Sequence, residues 1–459
     1  MRKLFFSAAL LSAGLLVEAQ VTVSGQITNP KGNQIAVVLD NPNPVAEAQR
    51  FVAELDAEGK FSVEVPVEET SYARFAHGGE TTAMYLQNGK DVAVSLDPQQ
   101  FDESVAYTGE GAAPNNYLAG IYMLREKESG ERYAWEQSLA PMEYMEKTKA
   151  LMQKEMAELE KQKGKLPVAF VQEQKYDIMY GWGSKLMMYP QIKAYFSGGT
   201  KPELPEAYLN YKNELPLNND KALSSTGYRN YLSQAVMIEA SNAAVEGKDY
   251  YEAMLEQMNK VEGQAGNYIK ANTYNDMLNQ GKGHMISEGL KAFMADSNAK
   301  TYHEGLQATI DSWSSLEKGK PAPNFTLTSI EGETMSLADF KGKVVYLDFW
   351  ASWCKPCLGE MPHSKTLKEK FADQKDVAFI YVSIDDNEDA WRKMVDKKQI
   401  EGIHLWSQGW GSEAPIAYNV KYIPRYVLVA KDGTIIDANT SRPSAEETAK
   451  QISQALALP

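Results

Sequence analysis

The two cysteines of this chain, Cys354 and Cys357, lie where an apolar strand pattern changes to a helical one. The run Val344-Val345-Tyr346-Leu347 is typical of a strand buried on both faces of a sheet. A helical stretch follows, from Pro356 to about Phe371. A thiol in the first turn of a helix meets free backbone N–H groups and the positive end of the dipole, which stabilise its thiolate. The junction therefore predicts an α/β segment with both thiols on one helix face, close enough to form a disulfide.

Thiol–disulfide exchange is the chemistry that this arrangement favours. The Cys354 thiolate would attack a substrate disulfide, and Cys357 would resolve the mixed disulfide. A zinc site is disfavoured because it needs two more ligands, and His363 is the only histidine nearby. A purely structural disulfide is also disfavoured, since so short a ring removes little conformational entropy from the unfolded chain. We therefore expect a redox-active Cys354–Cys357 disulfide, with no metal and no separate cofactor.

The beginning of the chain predicts export. Arg2 and Lys3 form a short basic start, the run from Leu4 to Val17 is apolar, and small residues precede a cleavage point after Ala19. The apolar run is shorter than the ~20 residues that a membrane-spanning helix needs. We predict a cleaved signal peptide over residues 1–19 and a location in the periplasm or cell envelope, where a lasting disulfide is permitted.

Residues 20–112 show the pattern of antiparallel strands. Phe61-Ser62-Val63-Glu64-Val65 alternates between apolar and polar residues after the turn-like Glu58-Gly59. Asn88-Gly89 precedes a second alternating run, Val92-Ala93-Val94-Ser95-Leu96. Period-two alternation between such turns favours strands with one buried face. This segment predicts an all-β, sandwich-like domain.

Residues 113–314 have a helical pattern instead. Met145, Met152, Met156 and Leu159 fall at helical spacing and share one face. Methionine of this kind fills irregular helical cores, and the alternative is an adaptable surface for apolar partners. We predict a helical middle domain that ends at residue 314.

Residues 315–459 alternate strands with helices. Val377–Val382 is a second fully apolar strand run, and Tyr426–Ala430 pairs with Thr434–Ile436 across a hairpin turn. The predicted architecture is therefore a multidomain chain: an N-terminal all-β domain, a helical middle domain and a C-terminal α/β domain. The formal net charge of −14 lies mainly before residue 315, and an acidic chain of this kind is a poor partner for nucleic acid.

The C-terminal segment resembles a known class of enzymes. Residues 318–459 resemble the thioredoxin-fold thiol–disulfide oxidoreductases of the TlpA-like and ResA-like type, with a wider likeness to the AhpC/TSA superfamily. The resemblance implies a thioredoxin fold in which Cys354 attacks and Cys357 resolves. The residues that carry it are Gly319–Phe325, Leu337–Lys343, Phe349–Cys354, Cys357, Glu360 and Pro362.

Two acidic residues acquire roles from this resemblance. Asp348 matches the buried acid that exchanges a proton with the resolving cysteine, and the alternative is a strand residue that happens to be charged. A carboxylate within so apolar a run is costly without a function or a partner. Glu360 matches the acid that tunes the thiols in the ResA-like site, and the alternative is a solvated helix face one turn beyond Cys357.

The resemblance also implies a substrate surface. Ile423-Pro424 matches the cis-proline loop opposite the cysteines, whose backbone can pair with an extended substrate. Trp353, Lys355 and Pro356 complete the predicted substrate-binding set. Lys-Pro between the cysteines resembles the dipeptide of reducing members, which predicts a reductase of protein disulfides that a membrane electron donor recharges. Cytochrome c-type biogenesis is one role that would fit.

Other interpretations remain open at the level of sequence. A thiol peroxidase is the first, although Leu347 and Ala351 stand where peroxiredoxins carry Pro and Thr or Ser before the reactive cysteine. The second is a partner-binding envelope protein in which residues 20–314 capture the partner and the thiols are accessory. Trp406 and Trp410 belong to a glycine-bearing loop that would line a substrate groove or pack in the core.

Overall fold

The computed structural model describes residues 20–130 and 133–458, which divide into two compact units. The first unit ends at Lys270 and the second begins at Ala271. The predicted signal peptide lies outside the described residues, and the predicted boundaries at residues 112 and 314 stay predictions. Within the described part of the chain, each helix is too short or too polar to serve as a membrane span.

The first unit begins with one mixed sheet and one antiparallel sheet. Each has four strands, in the orders β4-β1-β7-β8 and β3-β2-β5-β6, and the β1–β7 pair is parallel. Alternate side chains such as Val21, Phe75 and Val94 point into a shared apolar core. The predicted all-β domain is confirmed. Its strands are β1 Gln20–Ile27, β2 Gln34–Leu39, β3 Arg50–Glu54, β4 Lys60–Pro66, β5 Thr70–His77, β6 Glu80–Gln87, β7 Val92–Leu96 and β8 Ala106–Thr108.

Helices make up the remainder of the first unit, as predicted. The face that α4 buries is centred on Tyr144, Leu151 and Leu159, whereas Met152 and Met156 lie half-buried at its edge and pack against a cluster around Phe170. The helices are α1 Phe101–Ser104, α2 Ala112–Ser129, α3 Ala134–Ser138, α4 Pro141–Gln162, α5 Val168–Phe196, α6 Glu206–Leu209, α7 Tyr211–Glu214, α8 Thr226–Val245, α9 Tyr250–Met258 and α10 Gly263–Asn279, which contains the unit boundary.

The second unit is built on a seven-stranded mixed sheet with the order β10-β9-β13-β12-β11-β14-β15. Strand β11 is parallel to β12 and antiparallel to β14. The elements after α10 are α11 Gly283–Ala295, α12 Lys300–Ser314, β9 Thr326–Ser329, β10 Thr334–Ser336, β11 Val344–Trp350, α13 Lys355–Lys370, β12 Val377–Ser383, α14 Glu388–Lys398, β13 Ile403–Trp406, α15 Glu413–Ala417, β14 Arg425–Val429, β15 Ile435–Asp437 and α16 Glu446–Leu456.

Strand β11 lies in the interior of this sheet, between β12 and β14, and every one of its residues is buried. Leu347 and Phe349 face a core that includes Trp391, while Tyr346 faces a smaller cluster with Ile452 of α16. Burial of each such side chain stabilises the fold by roughly 1.5–3 kcal/mol. The strand leads directly into the turn that carries Cys354, so a fully buried strand positions the cysteines. The predicted α/β domain is confirmed as a thioredoxin fold.

Candidate active site

Cys354 occupies the N-cap position of α13. Its Sγ accepts the backbone N–H of Cys357 at 3.2 Å, and its own N–H donates to the carbonyl of Ala351 at 3.1 Å. Pro356 lies in the first helical turn, where the missing N–H costs no hydrogen bond. The free N–H groups and the dipole of the helix therefore act on the Cys354 sulfur, which favours its thiolate once the disulfide is reduced.

Cys354 and Cys357 form a disulfide with an Sγ–Sγ distance of 2.01 Å. Cys354 keeps 5% of its surface exposed and Cys357 keeps 1%. Both residues are buried, and Cys354 is the more exposed of the two. Their attacking and resolving roles stay predictions. In residues 20–130 and 133–458, no group of three or more His, Cys, Asp or Glu side chains is arranged to hold a metal ion.

Asp385 anchors the turn before Cys354, a role that sequence reasoning missed. Its carboxylate accepts the backbone N–H of Ser352 at 2.8 Å and the Ser352 hydroxyl at 2.6 Å. The Ser383 hydroxyl donates to the same carboxylate at 2.8 Å. Parallel pairing of β11 with β12 sets Trp350 opposite Ser383, so the two strands end side by side. The signal in the sequence was an acid just after the second apolar strand, but only the strand order shows what it holds.

Asp348 lies in the interior of β11 and is 1% exposed. Neither of its carboxylate oxygens has a hydrogen-bond partner in the described part of the chain. Burial raises the pKa of the Asp348 carboxyl well above its ordinary value, and the nearby Glu360 carboxylate raises it further. Its cross-strand neighbours are Tyr381 on one side and Tyr426 on the other. The site thus contains a buried acid that favours its protonated form and accepts no hydrogen bond from the described residues.

Glu360 is buried rather than solvated. Its carboxylate accepts the backbone N–H of Ser444 at 3.0 Å and the Ser444 hydroxyl at 2.9 Å. The guanidinium of Arg442 lies 3.7 Å from the same carboxylate. These contacts join the active-site helix to the segment before α16. They remove the interpretation of Glu360 as part of a solvated helix face, while its effect on the thiols stays a prediction.

Replacement of Glu360 by glutamine tests its electrostatic effect on Asp348. Because the Glu360 charge opposes ionisation of Asp348, we expect Glu360→Gln to lower the pKa of Asp348. Because the folded-state pKa of Asp348 is raised, the free energy of unfolding falls as pH rises from the unfolded pKa to the folded pKa. In the variant the folded pKa is lower, so this fall should end at a lower pH. The measurement is the free energy of unfolding in urea as a function of pH.

The same substitution should also cost about 1–3 kcal/mol of stability, since a Ser444 donor loses its acceptor. Glu369→Gln is the matched control, because Glu369 is an exposed residue of the same helix. A pH dependence that is identical in Glu360→Gln and the wild type would contradict the predicted coupling.

The predicted substrate-side residues are exposed or half-buried. Trp353 is 57% exposed, and Lys355 and Pro356 are exposed in the first turn of α13. The Ile423–Pro424 peptide bond is cis, as predicted, and the two residues are half-buried. Their part in binding substrate stays a prediction.

The two tryptophans of the glycine-bearing loop have different environments. Trp406 donates its Nε1–H to the Asp385 carbonyl at 2.7 Å and stacks on Trp391, so it belongs to the core. Trp410 is 40% exposed, and its ring centroid lies 6.4 Å from that of Trp353. The core interpretation therefore holds for Trp406, and the groove interpretation is retained for Trp410.

A disulfide at the N-terminus of a helix, directly after a buried interior strand of a thioredoxin fold, defines a thiol–disulfide oxidoreductase. The Redoxin family model matches residues 317–456. ResA from Bacillus thuringiensis subsp. konkukian, a thiol-disulfide oxidoreductase, is 37% identical over 141 residues, which cover 31% of this chain and 78% of that protein. The chain belongs to the ResA-like family of thiol–disulfide oxidoreductases.

Other similar proteins cover the same segment. The thioredoxin-like protein YneN from Bacillus subtilis is 32% identical over 139 residues, which cover 30% of this chain and 79% of that protein. A crystal structure of a putative thiol-disulfide oxidoreductase from Bacteroides vulgatus is 37% identical, covers 31% of this chain and 99% of that chain, and has a TM-score of 0.29. These similarities concern about a third of the chain and say nothing about the first unit.

Proposed function

We propose that this enzyme is an extracytoplasmic reductase of protein disulfides, in which Cys354 attacks and Cys357 resolves. The observation that carries the proposal is the position of Cys354 at the N-cap of α13, in a residue more exposed than Cys357. A sulfur that is both activated and accessible is the one that can enter exchange.

Each step transfers one bond between sulfur atoms. In the reduced enzyme the Cys354 thiolate attacks one sulfur of the substrate disulfide, whose S–S bond breaks and whose other sulfur leaves as a thiolate. The Cys357 thiolate then attacks the Cys354 sulfur, forms the Cys354–Cys357 disulfide and releases the second substrate thiolate. Two electrons pass from the enzyme dithiol to the substrate, and the enzyme ends in the oxidised form that the structure contains.

Asp348 would take part as a proton acceptor and donor for Cys357. The resolving thiol must lose a proton before it attacks. Because the pKa of the Asp348 carboxyl is raised, its ionised form is a strong base and is suited to accept that proton. When an external dithiol reduces the enzyme again, the same carboxyl returns the proton. We assign this reducing role to a membrane electron donor, as the resemblance implies.

The substrate would bind across the opening to the disulfide. Trp353, Lys355 and Pro356 would form one side of this surface, and Ile423 and Pro424 would carry the loop that pairs with an extended polypeptide. Trp410 adds a second exposed ring next to Trp353, which favours apolar or aromatic residues beside the substrate cysteine.

The direction of exchange is tested by the reduction potential of the Cys354–Cys357 pair. The full chain would be equilibrated with buffers of known ratios of reduced to oxidised glutathione. The reduced fraction would be measured by alkylation of the free thiols and mass spectrometry. Because no histidine lies between the cysteines to stabilise the reduced form, we expect a potential below about −220 mV. A value near about −120 mV, as in strong oxidants, would overturn the reductase proposal and leave the oxidoreductase class intact.

A further inference from the structure

We propose that residues between α10 and α12, which precede the family-matching segment, position the loop from Tyr418 to Arg425 for substrate binding. This inference rests on the proposed function, because that loop carries Ile423 and Pro424. The contributing residues are Asn279, Ser312 and Trp313, which we call the brace. All of them lie in the second unit, together with the loop.

The loop makes few backbone hydrogen bonds in the stretch that would pair with the backbone of a substrate. The amides of Asn419 and Val420 donate to the carbonyls of Ile416 and Pro415. By contrast, no amide from Lys421 to Ile423 makes a backbone hydrogen bond in the described part of the chain. The position of this stretch therefore depends on its side chains.

Two side chains of the loop, those of Asn419 and Tyr422, form hydrogen bonds with the brace. The Tyr422 hydroxyl donates to the backbone carbonyl of Asn279 at 3.1 Å. The Asn419 amide group donates to the Ser312 hydroxyl at 3.1 Å. Trp313 and Asn279 are themselves joined, since the indole N–H donates to the Asn279 side-chain oxygen at 3.4 Å.

A third contact fixes the end of the loop. Arg425 is 1% exposed and donates two N–H groups to the Ala438 carbonyl, but it has no ion pair in the described part of the chain. Its guanidinium lies 4.6 Å from the ring centroid of Trp313, where the face of the indole attracts the charge. Contacts at Asn419, Tyr422 and Arg425 thus hold the loop on both sides of Pro424.

The brace is part of the packed redox unit and not a loose extension. Trp313 packs against the main core of the sheet, and Leu316 belongs to that core with 2% exposure. Near the end of α10, the Gln280 carbonyl accepts a hydrogen bond from the side chain of Asn439. The brace therefore has fixed attachments to the sheet that carries the disulfide.

Loss of a brace contact should weaken substrate binding without changing the thiol. A loop that is already ordered offers its backbone to a substrate at no further entropic cost, whereas a loosened loop must be ordered during binding. Asn279, Ser312 and Trp313 are therefore positioning residues. The expected signature is a raised KM with little change in kcat.

The test uses the full chain with Tyr422→Phe and Ser312→Ala, each of which removes one hydroxyl group. We expect the KM for insulin reduction to rise about two- to tenfold, the equivalent of one lost hydrogen bond. The rate at which iodoacetamide alkylates reduced Cys354 should stay unchanged. Ser314→Ala is the matched control, because Ser314 is exposed on the same helix and its hydroxyl donates to the Asp311 carbonyl one turn earlier.

Hydrogen exchange of the Asn419 and Val420 amides gives a readout that does not need turnover. Faster exchange in Tyr422→Phe and Ser312→Ala, together with the raised KM, supports the brace. Unchanged KM and unchanged exchange in both variants overturn it, as does an equal change in the alkylation rate, which would place the effect on the thiol. If the wild-type chain reduces no insulin, the proposed function fails, and the exchange rates alone still decide whether the loop is braced.

Discussion

In the Cys354→Ser variant, reduction of a protein disulfide should fall to the uncatalysed rate, a loss of more than about a thousandfold. A serine hydroxyl at the N-cap of α13 does not ionise at neutral pH, so the helix dipole has no thiolate to stabilise. The chain contains no other cysteine besides Cys357, which is 1% exposed. Insulin reduction by the full chain with dithiothreitol as the electron source measures this loss.

The Cys357→Ser variant is the matched comparison. It keeps the attacking thiol and lacks the resolving one, so it should accumulate a mixed disulfide with its substrate. A single covalent adduct on a non-reducing gel, lost on reduction, is the expected result. An adduct that also forms with Cys354→Ser would contradict the assigned order of the two thiols. Peroxide consumption that survives in Cys357→Ser but not in Cys354→Ser would favour a thiol peroxidase instead.

The Asp348→Asn variant should lower turnover by about a hundredfold, the lower end of what a positioned proton donor or acceptor contributes. Asparagine has nearly the same shape and cannot exchange a proton with Cys357. The loss should appear in kcat of the full cycle, while the first alkylation of Cys354 by iodoacetamide changes little. The measurement is steady-state insulin reduction beside single-turnover alkylation.

The same substitution should change how stability depends on pH. The folded-state pKa of Asp348 is raised, chiefly by burial, so the folded chain binds more protons than the unfolded chain above the unfolded pKa. Wild-type stability therefore falls as pH rises until the folded pKa is passed. The asparagine side chain of the variant does not titrate, so this decline should be absent, and the variant gains stability relative to the wild type as pH rises.

Asp373→Asn provides the control for Asp348→Asn, because Asp373 is exposed in the segment that follows α13. It should leave both turnover and the pH dependence of unfolding within experimental error of the wild type. If Asp348→Asn kept turnover within about twofold and kept the same pH dependence, Asp348 would be neither the proton carrier nor the titrating group.

The parts of the site that could be predicted from the sequence depend on residues close together in the chain. Cys354 and Cys357 stand in one motif between a strand and a helix, and Asp348 stands out as a charge inside an apolar run. Period-two and helical spacing likewise predicted the all-β, the helical and the α/β segments of the chain. Each of these signals involves residues within one or two turns or strands of one another.

The remaining parts depend on contacts between distant segments. Glu360 reads as a surface residue of its helix until Ser444, 84 residues away in sequence, is placed against it. Asp385 is connected to Ser352 only through the parallel pairing of β11 and β12. Asn419 and Ser312 are 107 residues apart, and nothing in the local pattern of either segment indicates that they touch.

The parallel pairing that places Asp385 beside Ser352 also has a consequence for the energy of the redox cycle. Because both donors of Ser352 are tied to a carboxylate at the end of the neighbouring strand, the turn before Cys354 should keep its geometry when the disulfide opens. Oxidised and reduced enzyme then differ mainly at two sulfur atoms, with little backbone reorganisation between them. Such an enzyme would pass through many turnovers with its recognition surface unaltered, so its substrate and its electron donor would meet the same surface in turn.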